Sequence, residues 1–366
     1  MPKIKVLRGN TSSLANYAGS AGEIALNYET GNINFWTNTA NVYYTLAGVA
    51  AGGGGAPAEP QQAENYAYSV AGRVYTAGTA GPGLSSYDKY SLTSDGNATS
   101  SPAPKSVVQA VSGSSTTHGY HIGGYNPNTT PGTFQRTTNK LAFSGDTWST
   151  NIGNISNDAF AATGVNDRAG GHSYHYGGSP NIAVYEKIPH ASDTNFSPVG
   201  TTGTGASYGA GASSPTTGYV MGGSGVPGTP NQNQVISFPF SSDVDGTNIG
   251  ALLHPVAQNT QLVGQNSDVS AYISGIGQSN TSYNNLIYKF PFASATVATN
   301  VGNLVLGRYF GAGASSTTHG YYDGGRRQPP TQTYNNIDKF PFSSDTNASD
   351  VGNLTATRNE HSNFNY

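Results

Sequence analysis

Phe340-Pro341-Phe342-Ser343-Ser344-Asp345 joins a short apolar run to a serine pair and an acid, and the same phrase stands at Phe238-Pro239-Phe240-Ser241-Ser242-Asp243. Weaker copies are Phe290-Pro291-Phe292-Ala293-Ser294-Ala295, Leu141-Ala142-Phe143-Ser144-Gly145-Asp146, Ile188-Pro189-His190-Ala191-Ser192-Asp193 and Tyr90-Ser91-Leu92-Thr93-Ser94-Asp95. At the acid position (Asp95, Asp146, Asp193, Asp243, Ala295, Asp345) the six copies are separated by 51, 47, 50, 52 and 50 residues. A steady period near fifty, in units rich in β-formers and glycine turns, is the signature of a repeat architecture.

Each copy has three parts. The first is an aromatic strand ending in paired glycines, as in Gly119-Tyr120-His121-Ile122-Gly123-Gly124, Gly218-Tyr219-Val220-Met221-Gly222-Gly223 and Gly320-Tyr321-Tyr322-Asp323-Gly324-Gly325. Glycine there permits a turn with unusual φ and close backbone approach. The second is the apolar strand, whose period of two puts Phe340 and Phe342 on one face, with Pro341 at a strand end or outer edge. The third is Val301-Gly302-Asn303-Leu304 or Val351-Gly352-Asn353-Leu354, leading to a small-residue strand such as Tyr309 to Ser315. Three or four strands per unit is one propeller blade.

The expectation is an all-β chain whose residues 64–366 form a six-bladed β-propeller. The glycine-paired strand followed by an outer apolar strand resembles kelch repeats, with two departures. The only tryptophan in the repeats is Trp148, and only Arg308 and Arg358 supply a basic residue before the small-residue strand. The last copy stops after Thr355 to Ser362, which reads as the start of a small-residue strand with no glycine-paired strand behind it. Circular closure would join it to Arg73 to Gly78, taken as the first glycine-paired strand, and leave few exposed edges.

Charged residues make up 10% of the chain, far below the roughly 25% of ordinary globular proteins. The 24 tyrosines and 13 phenylalanines nevertheless supply bulk to bury, so the 49 glycines belong to turns and not to disorder. A net charge of −3 gives no footprint for nucleic acid or an anionic membrane. The absence of cysteine removes disulfides and thiolate metal sites. Met1 to Val6 lacks the apolar core of a secretion signal, and no apolar run is long enough for membrane insertion.

Residues 1–46 fall outside the repeat. Lys3 to Leu7 alternates like a strand, and Glu23 to Tyr28 and Ile33 to Trp36 flank a hairpin loop at Glu29-Thr30-Gly31-Asn32, with a further strand at Val42 to Leu46. So short a module buries little surface alone, which predicts trimerisation or docking onto another protein. Residues 47–63, with Gly52 to Gly55, Pro57 and Pro60, read as a flexible tether. The sequences Ile4-Lys5, Arg8-Gly9-Asn10-Thr11, Ala21-Gly22-Glu23-Ile24-Ala25 and Thr30-Gly31 resemble a small domain that opens many bacteriophage tail-fibre and tropism-determinant proteins. Asn10 and Asn27-Tyr28-Glu29 depart from that pattern. The resemblance implies a virion component, on the tail fibre or particle exterior, attached to other virion proteins through residues 1–46 as a homo-oligomer, with a trimer expected.

Catalytic chemistry finds little support in the residues. His118, His172 and His319 precede the glycine-paired strand in equivalent positions, but Thr217 and Ser270 replace them elsewhere and no carboxylate accompanies them. They read as polar turn residues, and no metal or cofactor is expected. Ser343-Ser344-Asp345 resembles the Asp box of sialidase propellers, yet continues Thr346-Asn347-Ala348 where that motif has glycine and an aromatic; turn capping suffices for it. Only Glu64, Glu186 and Glu360 lie in the repeat region, which gives a paired-carboxylate glycosidase poor support.

The stretch from the paired glycines to the acid position varies instead: 17, 22, 15, 20, 20 and 20 residues from Gly78, Gly124, Gly178, Gly223, Gly275 and Gly325. Equivalent propeller loops emerge on one face, so Tyr125, Asn126, Tyr283, Asn284, Arg326, Arg327, Tyr334 and Asn335 become candidate binding residues. The expected function is non-catalytic binding of a host surface receptor, a glycan or a protein. A structural decoration protein of the virion, or a hydrolase or lyase acting on host capsule, are the alternatives.

Overall fold

A computed structural model of the chain describes residues 65–366, apart from 77, 180–181, 202–206, 224–232, 252–261, 280–281, 295–296, 328–329 and 366, together with the backbone of four strands ahead of them. The chain divides into two compact units, Met1–Gln61 and Gln62–Tyr366.

In the first unit, Val6–Gly9, Ile24–Asn27, Asn32–Trp36 and Asn41–Thr45 form one sheet in chain order. The first pair is parallel and the later pairs are antiparallel, so the strands on either side of residues 28–31 pair as expected, with Leu26 opposite Ile33. The side chains expected to drive oligomerisation, and the 47–63 tether, lie outside the described residues.

The second unit is the six-bladed β-propeller read from the repeat, and no α-helix occurs among its described residues. The innermost strands are Ser362–Asn365, Val111–Ser114, Thr163–Asp167, Ala210–Ser213, Val263–Asn266 and Tyr309–Ser315, for the first to sixth blades. Outward in the sixth blade come His319–Arg327, Asn336–Pro341 and Ser349–Asn353, the three parts of the motif in order. Pro341 ends its strand, as a residue without an N–H should.

Small residues crowd the inner strands because the blades converge there. A Cβ on Gly211 would stand 1.9 Å from the Gly164 carbonyl oxygen, and one on Gly264 2.1 Å from that of Gly211. Neither distance is tolerable for any side chain, so larger residues would force the ring open.

Circular closure is present, but through a different strand from the one expected. Ser362–Asn365 pairs with Tyr66–Val70, matching Phe364 with Tyr68, and not with Arg73 to Gly78. Ala71-Gly72 occupies the paired-glycine position, with φ of 58° and 84° against 62° and 100° at Gly123-Gly124. Alanine in that left-handed conformation hid the motif from the sequence reading. Arg73–Thr76 instead forms a separate hairpin with Thr79–Gly83, and the first loop runs 23 residues from Gly72 to Asp95.

One contact joins every pair of neighbouring blades. The buried tyrosine of each glycine-ended strand meets the last apolar residue of the next blade's marker phrase. Ring centroids lie 5.4 Å apart for Tyr68–Phe143, 4.8 Å for Tyr120–His190, 5.5 Å for Tyr174–Phe240, 4.5 Å for Tyr219–Phe292 and 4.6 Å for Tyr272–Phe342. At the seam, Tyr321 donates its hydroxyl to the Leu92 carbonyl at 2.9 Å. The acid of the phrase has a partner as well. Lys89–Asp146, Lys140–Asp193, Lys187–Asp243, Lys289–Asp345 and Lys339–Asp95 pair at 2.6–3.1 Å, each lysine reaching the following blade. These acids brace blade to blade, a role that turn capping did not anticipate.

Candidate recognition face

The paired-glycine turns and the connections into the inner strands leave the propeller at the same end. There Gln109, Ala161, Tyr208, Phe310 and Glu360 take equivalent positions with φ of 54°, 57°, 64°, 58° and 57°. Left-handed backbone is costly for such residues, and here it aims each N–H at the neighbouring blade. Glu360 donates to the Phe310 carbonyl at 2.8 Å, Gln109 to Glu360 at 2.7 Å, Ala161 to Gln109 at 2.9 Å and Tyr208 to Ala161 at 2.7 Å. A run of backbone hydrogen bonds thus links five neighbouring blades around the axis, and these residues frame its mouth.

A buried charge sits in that frame. The Glu360 carboxylate, 4% exposed, pairs with Arg73 at 2.7 Å and lies 4.0 Å from Arg326. Burial raises its pKa, and the two guanidiniums oppose the rise. Arg326 is itself sandwiched: its guanidinium carbon lies 4.2 Å from the centre of the Tyr75 ring, 4.7 Å from Phe310 and 5.2 Å from Tyr309. Tyr208 meets Phe310 edge to face at 5.8 Å, and burial raises its pKa.

The eight residues singled out from the sequence divide into different roles. Arg326 is buried in the axial cluster just described, while Arg327, beside it in the same strand, is exposed. Asn335 donates to the Leu354 carbonyl at 3.1 Å, and Asn284 accepts from the Leu286 N–H at 3.2 Å, so both shape turns. Tyr334 is half-buried and donates to Gln332 Oε1 at 3.1 Å. The backbone of Tyr283 lies in the strand Ser282–Tyr283, and its side chain is outside the described residues. Asn126 accepts from the Asn128 N–H at 2.9 Å. Tyr125 joins Phe134 and Phe160, with centroid separations of 5.8, 5.8 and 5.7 Å around the three rings.

Arg73, Tyr75, Phe134, Phe160, Tyr208 and Glu360 also stand at this end, outside the eight candidates. Phe160 and Glu360 occur beside or at the entry to a small-residue strand, a position whose axial placement the repeat alignment could have revealed. Arg73 to Gly78 has the look of a glycine-ended strand of the first blade, which conceals the place of Arg73 and Tyr75 at the mouth.

The buried carboxylates are committed to neighbours. Asp88 pairs with Arg358 and Asp338 with Arg308, each at 2.7 Å, with all four side chains 0% exposed. Asp323 accepts from Ser69 and Tyr90 at 2.8 Å and from Asn363 at 2.6 Å, and contacts His361. Glu186 accepts from the Ser156 N–H at 3.1 Å, beside His175 at 3.6 Å. His118 and His319 each hydrogen-bond the preceding threonine at 2.8 Å, at the opposite end of the blades from the axial mouth. Among the described residues no group of three or more His, Asp or Glu is placed to hold a metal ion. No family model matches the chain, and no curated protein matches it in sequence.

Proposed function

We propose that this chain is a non-catalytic recognition protein of a bacteriophage exterior. The amino-terminal sheet attaches it, as an oligomer, to other virion proteins, and the propeller end bearing the paired-glycine loops binds a host surface glycan. One observation carries the reading: aromatic and amide side chains gather on the variable loops of one end, while the buried carboxylates are engaged in bracing the blades. Sites that recognise sugars need stacking rings and adaptable hydrogen bonds, and glycoside hydrolysis needs a pair of carboxylates set for attack and protonation. The Arg8-Gly9-Asn10-Thr11 and Ala21 to Ala25 resemblance supports the virion assignment.

The test is a host-glycan array probed with the purified full chain, with eluted ligands checked for cleavage and cryo-imaging used to locate the chain on the particle. Binding without cleavage, at a tail or surface position, is expected. A blank array would remove the receptor-binding reading in favour of decoration, and cleaved ligand would establish an enzyme.

A further inference from the structure

The geometry points to Tyr125, Phe134 and Phe160 as a stacking platform for a neutral pyranose, at the loop end of the second and third blades. This deepens the recognition reading above and rests on it. Phe134 is 41% exposed, the most exposed of the described aromatic rings, and it stands edge-on to Tyr125 at an interplanar angle of 67°. Phe160 closes the triangle from the connection into the third blade's inner strand, one residue before the axial Ala161.

The rings are held in place by backbone and amide contacts. Tyr125 exchanges backbone hydrogen bonds with Val108 at 2.8 and 3.0 Å, and faces Phe134 across a short antiparallel pairing. Phe160 accepts from the Ser179 N–H at 2.9 Å. Asn128 ties the loop to the first blade's hairpin, accepting from the Gly83 N–H at 2.8 Å and donating to Ser106 Oγ at 2.8 Å. Gly132 lies under the Tyr125 hydroxyl, where a Cβ would come within 1.9 Å of that oxygen. A platform fixed before binding forfeits little entropy when ligand arrives.

Size and charge select the occupant. A stable protein interface covers about 800 Å² on each partner, beyond what three partly buried rings expose, whereas a sugar ring spans one or two aromatic faces. The closest charges along the chain, Arg136 and Asp158, neutralise each other at 2.6 Å, and the Lys105 ammonium is turned onto the Gly123 and Thr137 carbonyls at 3.1 and 2.6 Å. Hydroxyl and amide groups border the rings at Thr129, Thr133 and Gln135, and they match the hydroxyls of a hexose; Gln135 Nε2 already reaches Thr133 Oγ1 at 3.1 Å.

Saturation-transfer NMR on the full chain tests this, with the methyl glycosides of glucose, galactose, mannose and N-acetylglucosamine as probes and glucuronic and N-acetylneuraminic acids beside them. Transfer to the ring C–H protons of at least one neutral glycoside is expected. Binding should be about tenfold weaker in Phe134→Ala, which removes an exposed ring, and preserved in Phe134→Trp. Lys289→Ala, in a blade-to-blade ion pair outside these loops, should leave it unchanged. No transfer to any neutral probe, transfer confined to the acids, or equal transfer in Phe134→Ala and Phe160→Ala would each overturn the platform. A positive glycan array alongside any of these results would leave the wider recognition reading standing.

Discussion

Lys339 of the sixth blade holds Asp95 of the first at 2.8 Å, across the seam where the two ends of the propeller chain meet. It is one of five such pairs around the ring. At the remaining junction the register places Ser237 where the other blades have lysine, and the acid position of the next blade is Ala295. Both members of that pair are absent together. A lysine there would face no acid, and an aspartate no base, so neither has a reason to stand alone.

These pairs are half in solvent, the acids 34–57% exposed, so each contributes little. A double-mutant cycle of Lys339→Ala with Asp95→Ala should give a coupling below about 1 kcal/mol that shrinks in high salt. The double substitution Ser237→Lys with Ala295→Asp should introduce a coupling of similar size, measured by urea unfolding. Additive effects there would mean that the register drawn between the fourth and fifth blades is wrong.

The tyrosine contacts should matter far more. Tyr272 is 2% exposed, stacked on Phe342 at 4.6 Å and tilted against Phe340 at 5.6 Å. Tyr272→Ala should cost about 3–5 kcal/mol, several times the loss from removing Lys289 next to its ring. Chemical denaturation of the two variants would rank the contacts, and a reversed order would make the ion pairs the main fastening between blades.

The repeat period and the strand order inside a blade were legible because the Phe-Pro-Phe phrase alternates with a period of two and recurs near every fiftieth residue. The closing strand pair was not, since Ala71 performs a backbone task that glycine performs at Gly123 and Gly324. The candidate site was legible only in outline. Arg326 and Asn335 have the residue types of a binding surface, but Glu360, distant in sequence, buries the first and the Leu354 carbonyl occupies the second. Phe134 meets Tyr125 within one loop, but Phe160 joins them only after two blades are placed side by side. Such partners across the ring leave no local spacing to read.

The seam concentrates buried polar contacts, and its strength should depend on them. Arg358 pairs with Asp88 at 2.7 Å and donates to the Ser69 carbonyl at 3.0 Å, linking the last strand to the first blade. Arg358→Ala would strand the buried Asp88 carboxylate and should cost about 3–5 kcal/mol. Asp88→Leu combined with Arg358→Met should recover part of that loss. Deleting Thr355 to Tyr366 removes the first blade's inner strand outright and should abolish cooperative unfolding. A cooperative transition at an unchanged urea midpoint in the deletion would show that the ring does not need this closure.

His190 is the one histidine that fills the aromatic wedge position of a marker phrase, where four other blades use phenylalanine. It stacks on Tyr120 at 4.8 Å and shares a hydrogen bond with Ser173 at 2.8 Å. Burial, with His172, Arg168 and His118 adding positive charge nearby, lowers its pKa from 6.5 to about 3. The unfolded chain therefore takes up this proton first. Stability from the neutral ring is complete above 6.5 and is lost as the pH falls from there toward about 3. At about pH 5 the loss would approach 2 kcal/mol. His190→Phe supplies the ring used elsewhere and carries no proton, and Ser173 keeps its bond to Asn166 Oδ1 at 3.0 Å. The variant should match the parent within about 1 kcal/mol at about pH 8 and exceed it by about 2 kcal/mol more at about pH 5. Urea midpoints at the two pH values measure the difference, and a gap that fails to widen on acidification would assign the acid sensitivity to another buried group.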